Sequence, residues 1–130
     1  MKRKRKIWPL TLTAVITLGL SCLAFALLLR PRPLEIETID LNTVADGTYT
    51  GIYQNKILLA VVQLEVADHE ITSIEILEHK EAYLPQACQI SQEVVADQSL
   101  EVDTISGATF TCDTVRKAIE DALQQGITQP

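Results

Sequence analysis

The sequence predicts an α+β domain behind one N-terminal membrane-spanning helix. Three observations carry this: an uncharged run from Ile7 to Leu29, a stretch from Thr48 to Leu77 with alternating apolar residues, and two later segments whose apolar residues recur at helical steps. At 130 residues the chain has room for one folded domain beyond the apolar run. It holds no internal repeat and no low-complexity tract.

At about 1.5 Å rise per residue, 7–29 is long enough as a transmembrane helix to cross the roughly 30 Å hydrocarbon layer of a bilayer. Lys2, Arg3, Lys4, Arg5 and Lys6 lie directly before it, so 1–6 reads as a basic cytoplasmic tail and the rest of the chain as extracytoplasmic, in a single pass of the cell membrane. Arg30 and Arg32 weaken that bias without reversing it, and Trp8 suits an interfacial anchor. Two other readings compete. Ala24-Phe25-Ala26 has the small-x-small pattern of a cleaved signal peptide, although the apolar run continues through Leu27, Leu28 and Leu29. A lipid anchor on Cys22 is the other, but Gly19-Leu20-Ser21 matches the usual box poorly and seven apolar residues follow the cysteine.

Pro31 and Pro33 interrupt any continuing helix, and 30–45 reads as a linker with acidic residues. The domain is expected over 46–126. Asp46-Gly47 signals a turn, and the β-branched and aromatic residues of Thr48–Tyr53 suit a strand. Gln54-Asn55-Lys56 is a hairpin turn. Between Ile57 and Val66, Leu58, Ala60, Val62, Leu64 and Val66 occupy one face, which marks a strand with one buried side. Asp68-His69-Glu70 turns the chain again, and Ile71–Leu77 supplies the third strand of an antiparallel β-meander.

The pattern changes after Lys80. Tyr83-Leu84-Pro85 opens a helix with proline in its first turn, and Leu84, Ala87, Ile90, Val94 and Val95 fall on one side of it. Leu100–Ile105 is a short extended piece. The last helix carries Val115, Ala118, Ile119, Ala122 and Leu123 at three- and four-residue steps, with Gly126 placed as its stop.

Beyond Arg32 four basic side chains (Lys56, Lys80, Arg116, Lys117) stand against seventeen acidic ones, leaving that part at −13 where the whole chain is −6. That sign argues against nucleic acid and anionic lipid as partners. Outside the cell Cys88 and Cys112 are permitted to pair, but two cysteines are no disulfide scaffold, and buried free thiols are the plainer reading. No cysteine and histidine arrangement has metal-ligand spacing, and no triad or paired-carboxylate spacing marks a catalytic residue.

Chemistry concentrates in Asp103-Thr104-Ile105-Ser106-Gly107-Ala108-Thr109-Phe110-Thr111, between the extended piece and the last helix. Small residues let backbone approach a ligand, Gly107 tolerates positive φ, and a helix N-terminus favours phosphate through its open N–H groups and dipole. Read alone, Ser106, Thr109 and Thr111 serve equally well as turn and cap residues.

Ser106-Gly107-Ala108-Thr109-Phe110-Thr111 resembles the flavinylation motif Ser/Thr-Gly-Ala-Ser/Thr-x-Ser/Thr of the FMN-binding domain family, found in a subunit of sodium-pumping NADH:quinone oxidoreductase and in its relative in the Rnf complex. Asp103 matches an Asp that the modifying transferase recognises, and Asp46-Gly47-Thr48-Tyr49-Thr50-Gly51 resembles the family's domain opening. The similarity runs from about Asp46 to Gln125. It implies that FMN is joined covalently through a phosphoester to Thr111 by a separate Mg²⁺-dependent flavin transferase with FAD as donor. Ser106, Gly107, Ala108 and Thr109 then form the loop around the phosphate. One departure is the turn Gln54-Asn55-Lys56, where many members have a glycine-rich one.

The implied function is a membrane-tethered extracytoplasmic electron carrier, a redox subunit more than a stand-alone enzyme. Its implied partners are a membrane dehydrogenase or quinone-linked redox protein and an extracellular electron acceptor or reductase. The alternative is a non-redox membrane-anchored binding module in which the segment is only a helix cap. A dedicated reductase ranks third, because the sequence shows no further convergent polar groups. His79, Tyr83 and Cys112 are placed to approach a flavin, with packing as the plainer role of each, and His69 reads as a turn residue.

Overall fold

A computed structural model of the chain describes residues 7–31, 34–79, 84–105 and 107–128. The chain divides at Arg30 into two units. The first contains helix α1 (Ile7–Leu29), which from Trp8 to Leu29 is long and apolar enough to span a membrane. Its Thr11, Thr13 and Thr17 hydroxyls donate back to the carbonyls of Trp8, Leu10 and Ala14 at 2.9, 3.0 and 3.0 Å. These three threonine hydroxyls therefore carry their own acceptors, which is what a segment surrounded by hydrocarbon needs. The basic tail expected over 1–6 lies outside the described residues.

The second unit is α+β, as the sequence predicts. Strands β1 (Gly47–Asn55), β2 (Leu58–Ala67) and β3 (Glu70–His79) form one antiparallel sheet in chain order. Helices α2 (Leu84–Asp97) and α3 (Thr109–Thr128) follow. α3 lies against β1 and β2, while α2 lies against β3 and α3. The register sets Gly51 opposite Val62, Val62 opposite Ile76 and Leu64 opposite Ile74, so the period-two apolar residues share one face. Leu64, Val62, Val66, Ile90, Val94, Ile119 and Leu123 are fully buried between sheet and helices. Burying one such Leu or Ile is worth roughly 1.5–3 kcal/mol.

Both turns are tighter than the sequence suggests. The first hairpin loop is Lys56-Ile57, with Lys56 at φ 62° and with Gln54 and Asn55 inside β1. The second is Asp68-His69 at φ 53° and 62°, a pair of positive values whose twist matches that of the flanking strands. The Asp46 carboxylate accepts the His69 N–H at 3.3 Å. Amides of Asp68 and His69 hold the Asp46 carboxyl below its ordinary range.

Both sheet edges are managed. Leu77 and Thr72 are extra residues in β3 that bulge it, and Glu70, Glu75 and Glu78 charge it. On β1, Asp121 Oδ2 accepts the Ile52 N–H at 3.0 Å and Gln125 Nε2 donates to Thr50 O at 2.8 Å, so α3 satisfies backbone groups that the edge would leave open.

Several expectations are corrected. Residues 34–45, read as linker, pack on the domain: Val44 is fully buried, and Ile36, Ile39 and Leu41 lie against the core. Glu37 N–H donates to Glu120 Oε2 at 3.0 Å and Lys117 Nζ donates to Glu35 O at 3.2 Å. Gly126 sits inside α3 instead of ending it, because a Cβ there would lie 2.5 Å from Val44 Cγ1 and 2.9 Å from the Tyr49 ring. Leu84 is 47% exposed, not on the core side of α2. The short extended piece Leu100–Ile105, which the sequence did not assign to the sheet, buries Leu100 and Val102 beside the three strands.

Candidate functional site

The site is built where the extended lead-in meets α3. Ala108 N–H donates to Ile105 O at 3.0 Å, closing a turn in which Gly107 takes φ +84°. A Cβ on Gly107 would meet nothing within 4 Å, so conformation and not space calls for glycine here. Cys112 N–H then donates to Ala108 O at 2.9 Å, which makes Ala108 the residue that caps the helix. Alanine has no side-chain acceptor and is a poor cap. The amides of Thr109 and Phe110 precede the first intrahelical bond, at the positive end of a 20-residue helix dipole.

Of the residues expected at the site, Gly107 and Thr109 are exposed, Ala108 is buried and Asp103 is exposed on the lead-in. Thr111 stands in the first turn of α3 and is only 3% exposed. The structure thus brings Gly107, Ala108, Thr109 and Thr111 into one turn and helix start. Ser106, Tyr83 and the His79 side chain lie outside the described residues. Ala108 takes the cap position itself, while Thr109 and Thr111 lie in the first turn of α3.

α3 runs back along β1. Gly126 packs on Tyr49 and Val44, while a Cβ on Gly51 would lie 1.8 Å from Ala118 O and 2.7 Å from Ala122 N. The start of the helix therefore points toward the Asn55 end of the strand. Beside it, burial pushes the Cys112 thiol up, which keeps it a protonated packing group. Burial also raises the Asp113 carboxyl, against the pull of Arg116 Nη1 at 3.3 Å. Cys112 is buried, Cys88 is exposed, and both are free thiols. His69 is a turn residue, its Nδ1 3.2 Å from Val44 O.

Two features were not legible in the sequence. A cleft of about 320 Å³ between β3 and α2 is lined by Ile74, Glu75, Ile76, Leu84, Cys88, Ser91 and Gln92. On another side of α2, the Gln86 Oε1 is buried without a hydrogen-bond partner. The only available signal was its helical spacing to Ile90 and Glu93. Among the described residues no group of three or more His, Cys, Asp or Glu is arranged to hold a metal ion.

Fold and turn together define a small α+β domain that offers an anion a glycine turn and an alanine-capped helix start. The family model for the FMN-binding domain matches residues 58–124, just over half the chain, and the chain belongs to that family. No curated protein matches it. The residues fit the phosphate of FMN: α3 starts with the amides of 109 and 110, Ala108 at its cap position has no side-chain acceptor of its own, and the exposed Gly107 leaves the approach clear.

Proposed function

We propose that this chain is a membrane-tethered flavoprotein that carries FMN through a phosphoester on Thr111 and passes electrons between a membrane redox partner and an extracellular acceptor. The observation that carries it is the Gly107 turn running into the alanine-capped start of α3 in a member of the FMN-binding domain family. The amides at the helix start and the Gly107–Thr109 backbone hold the phosphate, and Ala108 keeps the cap free of a competing oxygen. When bound, FMN supplies one- and two-electron transfer. α1 tethers the domain with the basic tail inside and the domain outside.

Thr111 serves as an acceptor presented to a flavin transferase. Its hydroxyl oxygen bonds the FMN phosphorus of FAD, the pyrophosphate bond breaks, AMP leaves, and the hydroxyl proton passes to the transferase or to water. Exposed Asp103 supplies the recognition contact on that enzyme. Because Thr111 is 3% exposed, its hydroxyl has to become accessible for the reaction. The same burial is the observation that favours the second reading, a non-redox module whose segment only organises α3.

The test is the intact mass of the denatured chain, expressed with a flavin transferase beside a Thr111→Ala control. An FMN-sized increase with colour that survives denaturation, absent from the control, supports the proposal. An unmodified mass, with a related domain loaded in the same cells, sinks the covalent assignment and leaves the non-redox module.

A further inference from the structure

Buried polar atoms without partners are few in folded proteins, and each calls for an explanation. Gln86 Oε1 is such an atom: it is enclosed, and nothing donates to it. The side chain stands at the third position of α2, where solvent would otherwise be available to a glutamine.

Its place in the fold follows from how α2 and α3 lie. Glu93 of α2 acts electrostatically on the Cys112 thiol of α3, and just beyond the end of α2 the Leu100 carbonyl accepts Arg116 Nε–H at 2.8 Å. From Glu93 to Leu100 and from Cys112 to Arg116 the two segments advance the same way. At 3.6 residues per turn Gln86 shares a stripe with Glu93, about two turns or roughly 10 Å nearer the start of α2. The same distance back along α3 from Cys112 passes its first residue, Thr109, and reaches the Gly107 turn. Ile90, between Gln86 and Glu93 on that side, is fully buried, so the stripe faces inward. Gln86 therefore stands level with the turn that holds the phosphate.

We propose that the Gln86 carboxamide binds the polar edge of the isoalloxazine ring, accepting the ring N3–H on Oε1 and donating Nε2–H to an adjacent ring carbonyl. This rests on the FMN reading above. A carboxamide presents one acceptor beside one donor, and the pyrimidine edge of the flavin presents the complementary pair. The orphaned oxygen is the mark of a donor that arrives with the cofactor. A glutamine retained only for packing would be replaced by leucine at no loss in either state. A glutamine that meets the ring has opposite effects on the flavin-free and loaded chains.

The test compares full-length parent, Gln86→Leu and Gln86→Glu chains in detergent, each with and without a co-expressed flavin transferase, with loading scored by intact mass. In the flavin-free state Gln86→Leu is expected to melt higher than the parent by roughly 4–8 °C, the shift that removing one buried unpaired acceptor gives a domain of this size. In the loaded state the gain disappears or reverses, and the flavin absorption band shifts. Gln86→Glu keeps an acceptor but adds a negative charge, so the loaded variant has a lower reduction potential than the parent. An equal rise in melting temperature in both states, with an unchanged flavin spectrum, overturns the proposal. Where the parent itself gains no FMN mass, the Thr111 assignment has failed, and the Gln86 proposal is then read from free FMN titrated onto the unmodified chain. A loss of roughly tenfold in affinity in Gln86→Leu supports it. Equal affinity, or no binding by either chain, overturns it.

Discussion

At the scale of single residues, the site sets separable demands on Thr111, Gly107 and Asp103. Thr111 must supply a hydroxyl, so Thr111→Ser is expected to accept FMN and Thr111→Ala to remain unmodified in the same intact-mass assay. Gly107 must supply φ +84°, and because a Cβ there meets nothing, Gly107→Ala isolates the conformational cost, roughly 1–2 kcal/mol measured as denaturant stability. Asp103 is exposed, so Asp103→Ala is expected to reduce loading sharply while leaving the melting temperature of the flavin-free chain within about a degree of the parent. Asp113 answers to pH. Its folded carboxyl is raised above the ordinary 3.8, chiefly by burial, so the stability linked to its proton is fully present below 3.8 and is lost as pH rises through the folded value. Asp113→Asn removes that titration. Relative to the parent it should gain stability between pH 3 and pH 7, read from paired urea unfolding curves, and a flat difference would contradict this cause.

At the scale of elements, the decisive contact is between α3 and β1. A Cβ at Gly51 would lie 1.8 Å from Ala118 O and 2.9 Å from Ala122 Cβ. Backbone of a packed helix cannot yield as a side chain can, so Gly51→Ala is expected to cost about 3 kcal/mol, the upper end of overpacking, as a fall in the unfolding midpoint. The same contact shows what a sequence hides. β2 was legible because its buried face leaves a period-two signature in Leu58, Ala60, Val62, Leu64 and Val66. The exact turn positions were less so: Asp68 and His69 are types that tolerate their positive φ and mark a turn, but Lys56 holds a positive φ that its residue type does not announce. Gly126 resembles a helix stop, and its real reason, the closeness of Val44 and Tyr49, depends on partners more than seventy residues away in the chain. The stretch 34–45 reads as a spacer because acidic residues interrupt Ile36, Ile39 and Val44, and only the folded core shows that these three have somewhere to go. The glycine turn and helix start were legible through the motif, whereas the burial of Thr111 and the orphaned Gln86 Oε1 arise from packing across elements.

At the scale of the whole molecule, charge governs how a carrier meets its partners. The part beyond Arg32 has four basic side chains against seventeen acidic, and two of the basic ones are engaged within the domain: Arg116 with Asp113 and Leu100 O, Lys117 with Glu120 and Glu35 O. A field of that sign accelerates encounter with cationic partners and slows it with anionic ones, and salt screens both over a Debye length of about 8–10 Å at ordinary ionic strength. If the loaded chain is reduced and then mixed with small inorganic oxidants of opposite charge, the rate with a cationic metal complex should fall as salt rises from low to physiological ionic strength, by a factor of about ten. The rate with an anionic complex should climb over the same range. Stopped-flow reoxidation reads both directly. Parallel salt responses for the two oxidants would mean that the acidic surface lies too far from the flavin to steer electron exchange, and that its charge serves solubility alone. Opposite responses would identify the natural partner as one that offers a basic face to this domain.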